Sequence, residues 1–217
     1  MGVRQTTGIA LEELTVLVTG SQRGLGLALV HELSARGTRV YAGHRSAGVP
    51  AELDLPGVTP VFMELGATPL PRLPDVDYVV NNAGINRNTP LDSPQATQVL
   101  DEELRTNVLG TLNLIHHYLP RLAGRPAAGF VNIISALAID PNYFCATYSA
   151  SKAALHSLCV SLRQVAGDKG FHVLNVYPTA IDTRLTDGLA IPKLAPAEVA
   201  RAIVDAWSAG DCELFFQ

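Results

Sequence analysis

The chain has 217 residues, of which 47% are apolar, so it can bury one sizeable hydrophobic core and is expected to form a single domain. Its net charge of −4 and the lack of a Lys or Arg cluster argue against nucleic acid or an anionic membrane as a partner, and no run approaches the about 20 apolar residues of a membrane span. The three cysteines are odd in number and lack metal-ligand spacing, so we expect reduced packing residues in a cytoplasmic protein and no metal site.

Apolar runs alternate with segments of helical periodicity along the chain, a pattern typical of βαβ units and a parallel sheet. The pattern predicts strands at residues 15–19, 39–42, 58–63, 76–80, 130–134, 173–177 and 213–216, and helices at residues 24–36, 98–122, 148–166 and 197–208. The predicted fold class is therefore α/β: a single-domain, doubly wound, Rossmann-like parallel sheet of about seven strands. We expect this domain to span residues 14–217, after a loose N-terminal lead-in at residues 1–13.

The two connections around the third strand are shortened. Residues 43–57 and 66–75 are interrupted by glycines and prolines, and neither segment can hold a helix of normal length. We therefore predict that the edge of the sheet at the third strand is poorly covered.

A glycine-rich turn lies between the first strand and the first helix, with the sequence TGSQRGLG at residues 19–26. Glycines allow a tight turn and a close approach of the backbone, and the helix N-terminus offers free amides and a positive dipole end to a pyrophosphate. The spacing G-x-x-x-G-x-G differs from the G-x-G-x-x-G fingerprint, so a nucleotide site and a plain turn both remain open at this point.

The end of the second strand carries an arginine where a fold that prefers NAD places an Asp or Glu to accept the ribose 2′-hydroxyl. The chain reads Gly43-His44-Arg45-Ser46 there, and Arg45 together with Arg23 of the glycine-rich turn can bind a 2′-phosphate. This pattern favours NADP(H) over NAD(H), and the alternative is a pair of solvated arginines.

Tyr148 and Lys152 are four residues apart in a segment of helical pattern, so their side chains share one face of the helix. An ammonium beside a phenol stabilises the phenolate, which lowers the pKa of the tyrosine toward the range of a working proton donor. The alternative is an ordinary surface Tyr–Lys pair on an amphipathic helix.

Several motifs follow one another in a definite order. They are TGSQRGLG at residues 19–26, NNAG at 81–84, TNVLG at 106–110, a strand ending in Ser135, YSASK at 148–152, and Pro178-Thr179. In their order and spacing the sequence resembles the short-chain dehydrogenase/reductase family, in the subgroup that carries TGxxxGxG, NNAG and YxxxK. The resemblance runs from about Leu14 to Ala180 and continues more loosely to the C-terminus.

The resemblance implies a catalytic group of Asn107, Ser135, Tyr148 and Lys152. In this pattern Tyr148 is the general acid in reduction and the base in oxidation, and Ser135 polarises the substrate carbonyl. Lys152 holds the nicotinamide ribose and lowers the pKa of the tyrosine, and Asn107 supports a water that relays protons. Taken singly, Asn107 could equally cap or bend a helix, and Ser135 could equally end a strand.

The same resemblance implies a site for NADP(H) as cofactor. Its expected residues are Gly20, Arg23, Leu25, Arg45, Leu65, Asn82, Ala83, Gly84, Val108, Tyr148, Lys152, Pro178 and Thr183. The chain departs from the family where Pro178-Thr179 replaces Pro-Gly and where Glu64-Leu65 replaces an Asp followed by an apolar residue. The expected substrate lid, residues 181–194, is also short, which suggests an open pocket for a bulky or carrier-bound substrate.

The leading hypothesis is NADPH-dependent reduction of a ketone or aldehyde to an alcohol by hydride transfer, with a small-molecule carbonyl or alcohol as substrate. The candidate residues of an apolar substrate pocket are Ile85, Leu137, Ala138, Tyr143, Phe144, Leu185 and Leu189, several of which could instead belong to the core. The alternatives are an NAD-dependent alcohol dehydrogenase using the same site, and a non-catalytic protein that binds a nucleotide or a partner. The resemblance further implies a homo-oligomer, a dimer or tetramer, in which the helices holding Asn107 and Tyr148 pack about a two-fold axis.

Overall fold

The structure of the protein is a computed structural model, which describes residues 8–66, 74–125 and 127–216. The strands are β1 (Thr15–Val18), β2 (Arg39–His44), β3 (Val58–Phe62), β4 (Tyr78–Asn81), β5 (Gly129–Ile133), β6 (His172–Tyr177) and β7 (Glu213–Phe215). Across the described residues these seven strands form one parallel sheet in the order β3-β2-β1-β4-β5-β6-β7. The winding reverses between β3 and β4, so the predicted doubly wound, Rossmann-like α/β fold is confirmed.

Helices cover both faces of this sheet. They are α1 (Gly24–Ala35), α2 (Ala96–Glu103), α3 (Thr111–Leu122), α4 (Ala146–Lys169) and α5 (Pro196–Ala209). Successive residues of a strand point to opposite faces, so Val16 and Val18 pack into the core formed with α1 and α5, whereas Leu17 packs into the core formed with α3 and α4. This burial on both faces explains why the strands read as nearly continuous apolar runs in the sequence.

The long helix predicted at residues 98–122 is interrupted by a wider turn. Between α2 and α3 the chain forms a π-helical segment, Leu104–Gly110, in which Asn107 is fully buried. The Thr111 hydroxyl donates a hydrogen bond of 3.1 Å to the main-chain oxygen of Asn107. Such π segments often occur at functional sites, and this one carries a residue of the predicted catalytic group.

The edge of the sheet at β3 is poorly covered, as predicted from the shortened connections. The segment between β2 and β3 contains one short 3-10 turn, Ala51–Leu53, and Phe62 at the end of β3 is 59% exposed. Much of the second shortened connection, residues 67–73, lies outside the described residues.

Residues 8–13 differ from the loose lead-in that the sequence predicted. The Ile9 amide donates to the carbonyl of Ser208 at the end of α5 at 2.8 Å, and the Thr38 hydroxyl donates to the carbonyl of Leu11 at 2.9 Å. Leu11 is itself only 3% exposed, because it fills the core between α1 and α5. Residues 1–7 lie outside the described part of the chain.

The cysteines are all free, and Cys145 and Cys159 are buried. Cys212 is exposed because it precedes the edge strand β7, so the prediction of a packing role is wrong for this residue. None of the described helices is long and apolar enough to cross a membrane. Residues 8–66, 74–125 and 127–216 also contain no group of three or more His, Cys, Asp or Glu side chains that could hold a metal ion.

Candidate active site

One cleft lies beyond the carboxyl ends of the central strands, where the winding of the sheet reverses. It is lined by Thr19 after β1, Asn82 after β4, Ser135 after β5 and Pro178 after β6, together with residues of the lid segment 181–186. Parallel strands end at the same edge of a sheet, so the segments that follow them meet there, and this edge is where doubly wound folds bind ligands.

The glycine-rich turn is packed so tightly that two of its positions accept only glycine. Gly20 has a φ of +69°, and a Cβ added to Gly26 would lie 2.2 Å from the carbonyl oxygen of Gly20. Asn82 holds the turn from the other side by donating a hydrogen bond of 2.8 Å to the carbonyl of Thr19. The turn therefore brings its backbone and the N-terminus of α1 to the floor of the cleft.

Ser135, Tyr148 and Lys152 converge at the opposite end of the cleft. Ser135 follows β5, whereas Tyr148 and Lys152 occupy the first turns of α4, and all three line the same cavity. The ammonium of Lys152 donates a hydrogen bond of 2.9 Å to the carbonyl of Ile133 and lies 5.7 Å from the centre of the Tyr148 ring. The Ser135 hydroxyl accepts a hydrogen bond of 3.1 Å from the Leu137 amide, which fixes its position.

Burial dominates the protonation of this group. It raises the pKa of the Tyr148 phenol, and although a hydrogen bond with Ser135 lowers that pKa, the nearby charge of Glu103 adds to the rise. Burial likewise lowers the pKa of Lys152 to about 8. The expected lowering of the tyrosine pKa is therefore wrong for this structure, because removing both groups from water disfavours the charged form of each.

Asn107 lies behind the cleft and not in its lining. Its Oδ1 accepts a hydrogen bond of 2.8 Å from the Ile85 amide, and its Nδ2 donates to the Ile85 carbonyl at 2.9 Å and to the Ser151 hydroxyl at 3.0 Å. The side chain thus joins the loop after β4 to α4. A Cβ on Gly84 would come within 3.2 Å of Asn107 Oδ1 and 3.6 Å of Lys152 Nζ, so this loop passes closely between the two.

Sequence reasoning missed Glu103, which is fully buried close to Tyr148. Its Oε1 accepts a hydrogen bond of 2.9 Å from the Arg87 amide, and the carboxyl lies beside the hydroxyl of Thr147. Burial raises the pKa of Glu103. A glutamate in an acidic helical segment resembles a solvent-exposed residue, so the sequence contains no signal for this position.

The end of the cleft away from Tyr148 and Lys152 is strongly cationic. Arg23, Arg45 and Arg184 line it, whereas its lining contains no Asp or Glu side chain among the described residues. Burial lowers the pKa of Arg23, and the charges of Arg184 and then Arg45 lower it further. The Gln22 side chain joins the two loops by accepting a hydrogen bond of 3.0 Å from the Arg45 amide. This arrangement of cations suits an anionic ligand.

Most of the predicted cofactor-site residues meet in this one cleft. Those that line it are Gly20, Arg23, Leu25, Arg45, Leu65, Asn82, Ala83, Gly84, Tyr148, Lys152, Pro178 and Thr183. Val108 does not line it, because its side chain packs in the core against Ile134, Leu155, Cys159 and Tyr177.

The predicted substrate pocket is only partly present in the lining of the cleft. Ile85 and Leu185 belong to it, whereas Leu137, Ala138, Tyr143, Phe144 and Leu189 do not. Tyr143 and Phe144 are 55% and 68% exposed, since they lie in the loop that leads into α4. Arg184 was also missed by sequence reasoning, although its position directly after the predicted cofactor residue Thr183 was an available signal.

Comparison with known proteins settles the family. The sequence model of the family described as short chain dehydrogenase matches residues 64–192, more than half of the chain. The chain belongs to the short chain dehydrogenase family. It is thus an oxidoreductase of the class that interconverts carbonyl and alcohol groups with a nicotinamide dinucleotide.

Individual relatives match most of the chain. An uncharacterized oxidoreductase, DltE, of Bacillus subtilis (strain 168) is 29% identical over 92% of this chain and 86% of its own. An NADPH-dependent pterin aldehyde reductase of Arabidopsis thaliana is 32% identical over 79% of this chain and 76% of its own. A short chain dehydrogenase of Burkholderia cenocepacia J2315, solved in complex with NADP, has a TM-score of 0.86 and 29% identity, covering 96% of this chain and 90% of that one.

Proposed function

We propose that this short chain dehydrogenase is an NADPH-dependent reductase of a ketone or aldehyde, in which Tyr148 is the general acid. The proposal rests on one observation: the predicted catalytic side chains and a group of arginines line the two ends of the same cleft. One end holds Ser135, Tyr148 and Lys152, and the other holds arginines without an acidic side chain among the described lining residues.

The reacting end suits proton donation to a carbonyl oxygen. The Tyr148 phenol carries a proton at neutral pH, since the ordinary tyrosine pKa of 10.0 is already well above 7 and burial raises it, and the phenol can give this proton to the oxygen that becomes negative during reduction. Ser135 lines the same cleft as the Tyr148 phenol and provides a second hydroxyl for that oxygen. When bound, the cofactor would supply the hydride, and Lys152, with its ammonium 5.7 Å from the centre of the Tyr148 ring, would hold the nicotinamide ribose and return a proton to the tyrosine.

The cationic end suits a dinucleotide that carries an additional phosphate. The α1 N-terminus and the glycine-rich turn would hold the pyrophosphate. Arg45, at the end of β2, would bind the 2′-phosphate of NADP(H), since none of the described residues that line the cleft is a carboxylate that could accept the 2′-hydroxyl of NAD(H). The NADP in the Burkholderia structure and the NADPH dependence named for the Arabidopsis relative support this preference.

The proposal also covers the location, the partners and the oligomeric state of the protein. The chain would act as one domain in the cytoplasm on a carbonyl or alcohol compound, and we expect neither nucleic acid nor a membrane as a partner. A homo-oligomer, dimer or tetramer, would form through the segments that carry Asn107 and Tyr148. Leu109, on the segment Leu104–Gly110 that carries Asn107, is an apolar side chain that is 50% exposed and would be available for such an interface.

The test is cofactor consumption, followed by absorbance at the nicotinamide band with a panel of small ketones, bulky ketones and aldehydes. We expect at least one carbonyl compound to be reduced with NADPH, at a kcat/KM about 100-fold above that with NADH. Faster alcohol oxidation with NAD than with NADP would favour the alcohol dehydrogenase instead. Tight binding of a dinucleotide with no consumption in either direction would favour a non-catalytic binding protein.

A further inference from the structure

The lid segment that follows β6 holds one arginine in a defined position. The segment is closed at its base, where the Leu194 amide donates to the Ala180 carbonyl at 2.8 Å and the Asp182 amide donates to the Leu194 carbonyl at 2.9 Å. Within it, Arg184 begins the 3-10 turn Arg184–Thr186, and the Thr186 amide donates to the Thr183 carbonyl at 3.0 Å while the Thr183 amide donates to the Thr186 hydroxyl at 3.4 Å. Arg184 is therefore presented by an ordered turn.

This turn rests on the N-terminus of α1. A Cβ added to Gly24, the first residue of α1, would lie 3.0 Å from Cγ2 of Thr183. Arg184 follows Thr183 and lines the same cleft. It is also close enough to Arg23 in the glycine-rich turn to repel its charge more strongly than Arg45 does.

In the described part of the chain, no neighbouring acid neutralises the charge of Arg184. Among the described residues no carboxylate lies within ion-pair distance of its guanidinium, and the nearby Asp182 pairs with Lys193 at 3.7 Å. Placing Arg184 beside Arg23 without a carboxylate is unfavourable unless an anion binds between or beside them. Since the lid contacts the N-terminus of α1, such an anion would lie at that N-terminus.

We propose that Arg184 is a lid residue that binds the pyrophosphate of the dinucleotide and so couples the lid to cofactor binding. The inference rests on the proposed function, because it requires a dinucleotide in the cleft. The lid contacts the end of α1, where a pyrophosphate binds, whereas Arg45 lies at the end of β2, where the adenosine ribose binds. Arg184 therefore serves NADPH and NADH alike, and Arg45 serves NADPH alone.

The experiment measures the Kd of NADPH and of NADH, by fluorescence titration or calorimetry, for the 217-residue chain and four variants of it. Arg184→Gln should weaken both dinucleotides by a similar factor of about 10- to 100-fold, as expected for loss of a charge-assisted hydrogen bond. Arg45→Gln should weaken NADPH alone. Arg87→Gln, which removes an exposed arginine paired with Glu102 outside the cleft, should leave both Kd values unchanged.

The outcomes separate this inference from the proposed function. Unchanged Kd values in Arg184→Gln, with the wild-type chain binding NADPH, would overturn only the role of Arg184. Loss of NADPH binding alone in Arg184→Gln would also overturn it, because the arginine would then belong to the 2′-phosphate site. Arg184→Lys should recover part of the affinity for both dinucleotides, which a variant that merely damages the lid cannot show. A wild-type chain that binds neither dinucleotide would instead overturn the proposed function.

Discussion

The ammonium of Lys152 lies 5.7 Å from the centre of the Tyr148 ring, one helical turn away, while its hydrogen bond goes to the carbonyl of Ile133. The relationship means that the lysine is held by the end of β5 and not by the phenol itself. Lys152 is buried and Tyr148 is half-buried, and loss of contact with water lowers the pKa of the lysine to about 8 and raises the pKa of the tyrosine. The site therefore maintains a protonated phenol at neutral pH, as reduction requires.

Replacing Lys152 by Met should stabilise the fold at neutral pH. The ordinary pKa of 10.5 applies to the unfolded chain, whereas the folded chain holds this proton only up to a pKa of about 8. Between these two pKa values the unfolded wild-type chain binds more protons than the folded chain, so its stability rises with pH. Below the lower value, the buried ammonium of Lys152 destabilises the folded chain to its full extent. We expect Lys152→Met to raise the free energy of unfolding at pH 7 by about 2 kcal/mol, after loss of the Ile133 hydrogen bond.

Urea denaturation at pH 7 and at pH 10 measures this difference. The difference in free energy of unfolding between Lys152→Met and the wild type should shrink as the pH rises from about 8 toward 10.5. Above pH 8 the folded wild-type chain no longer carries the buried charge that destabilises it. A variant less stable than the wild type at pH 7 would contradict the assignment of a destabilising buried ammonium.

The rate of carbonyl reduction should fall in alkaline solution. Lys152 must be protonated to return a proton to Tyr148, and its pKa is about 8, so the competent form is complete below that pH and is lost above it. We expect kcat for reduction to decline by up to about tenfold per pH unit above pH 8. The profile is measured with saturating NADPH, and a rate that stays level to pH 9.5 would show that the ammonium of Lys152 is not required.

Glu103→Gln should also stabilise the protein at neutral pH. Burial raises the pKa of Glu103 above its ordinary value of 4.5, so the folded chain holds a proton that the unfolded chain has released, and stability falls as the pH rises through this range. Glutamine removes the buried charge and keeps an oxygen for the Arg87 amide. We expect a gain of about 1 kcal/mol at pH 7.5 by thermal unfolding, and a smaller gain toward pH 4.5. A lower melting temperature at pH 7.5 would contradict this account.

Gly26→Ala should damage the glycine-rich turn. The added Cβ would lie 2.2 Å from the Gly20 carbonyl oxygen and 2.5 Å from the Asn82 amide nitrogen, so the backbone of the turn must move. We expect a loss of about 1–3 kcal/mol in stability and weaker NADPH binding. The matched control is Gly167→Ala, an exposed helical position with nothing within 4 Å of the new Cβ, which should stabilise α4 by about 0.5–1 kcal/mol. Equal effects of the two substitutions would argue against a tightly packed turn.

The sheet and most of the cleft could be predicted from the sequence because each depends on local patterns. Buried parallel strands read as apolar runs, and the turn after each strand supplies the cleft, so the residues that the family resemblance implied, Ser135 and Asn82, lie directly after β5 and β4 and line the cleft. The helical spacing of Tyr148 and Lys152 predicted that both side chains share one face of α4, since this depends only on the pitch of the helix, and both line the cleft.

Features that depend on tertiary contacts could not be predicted. The direction of the Tyr148 pKa shift depends on how deeply the phenol is buried, which spacing does not reveal. Val108 follows Asn107 directly, yet successive helical residues point in different directions and Val108 enters the core. Packing against α5 also orders Ile9 and Leu11, although their segment has no regular pattern of its own.

The most direct test of the account is Tyr148→Phe, which removes the proposed proton donor and keeps the aromatic ring. We measure the Kd of NADPH and the rate of NADPH oxidation with the best carbonyl compound of the panel, for the wild type and the variant. The account predicts an unchanged Kd, because the phenol oxygen binds no phosphate, and a turnover reduced about 1,000-fold. Turnover within about tenfold of the wild type would contradict the role of Tyr148 as the general acid.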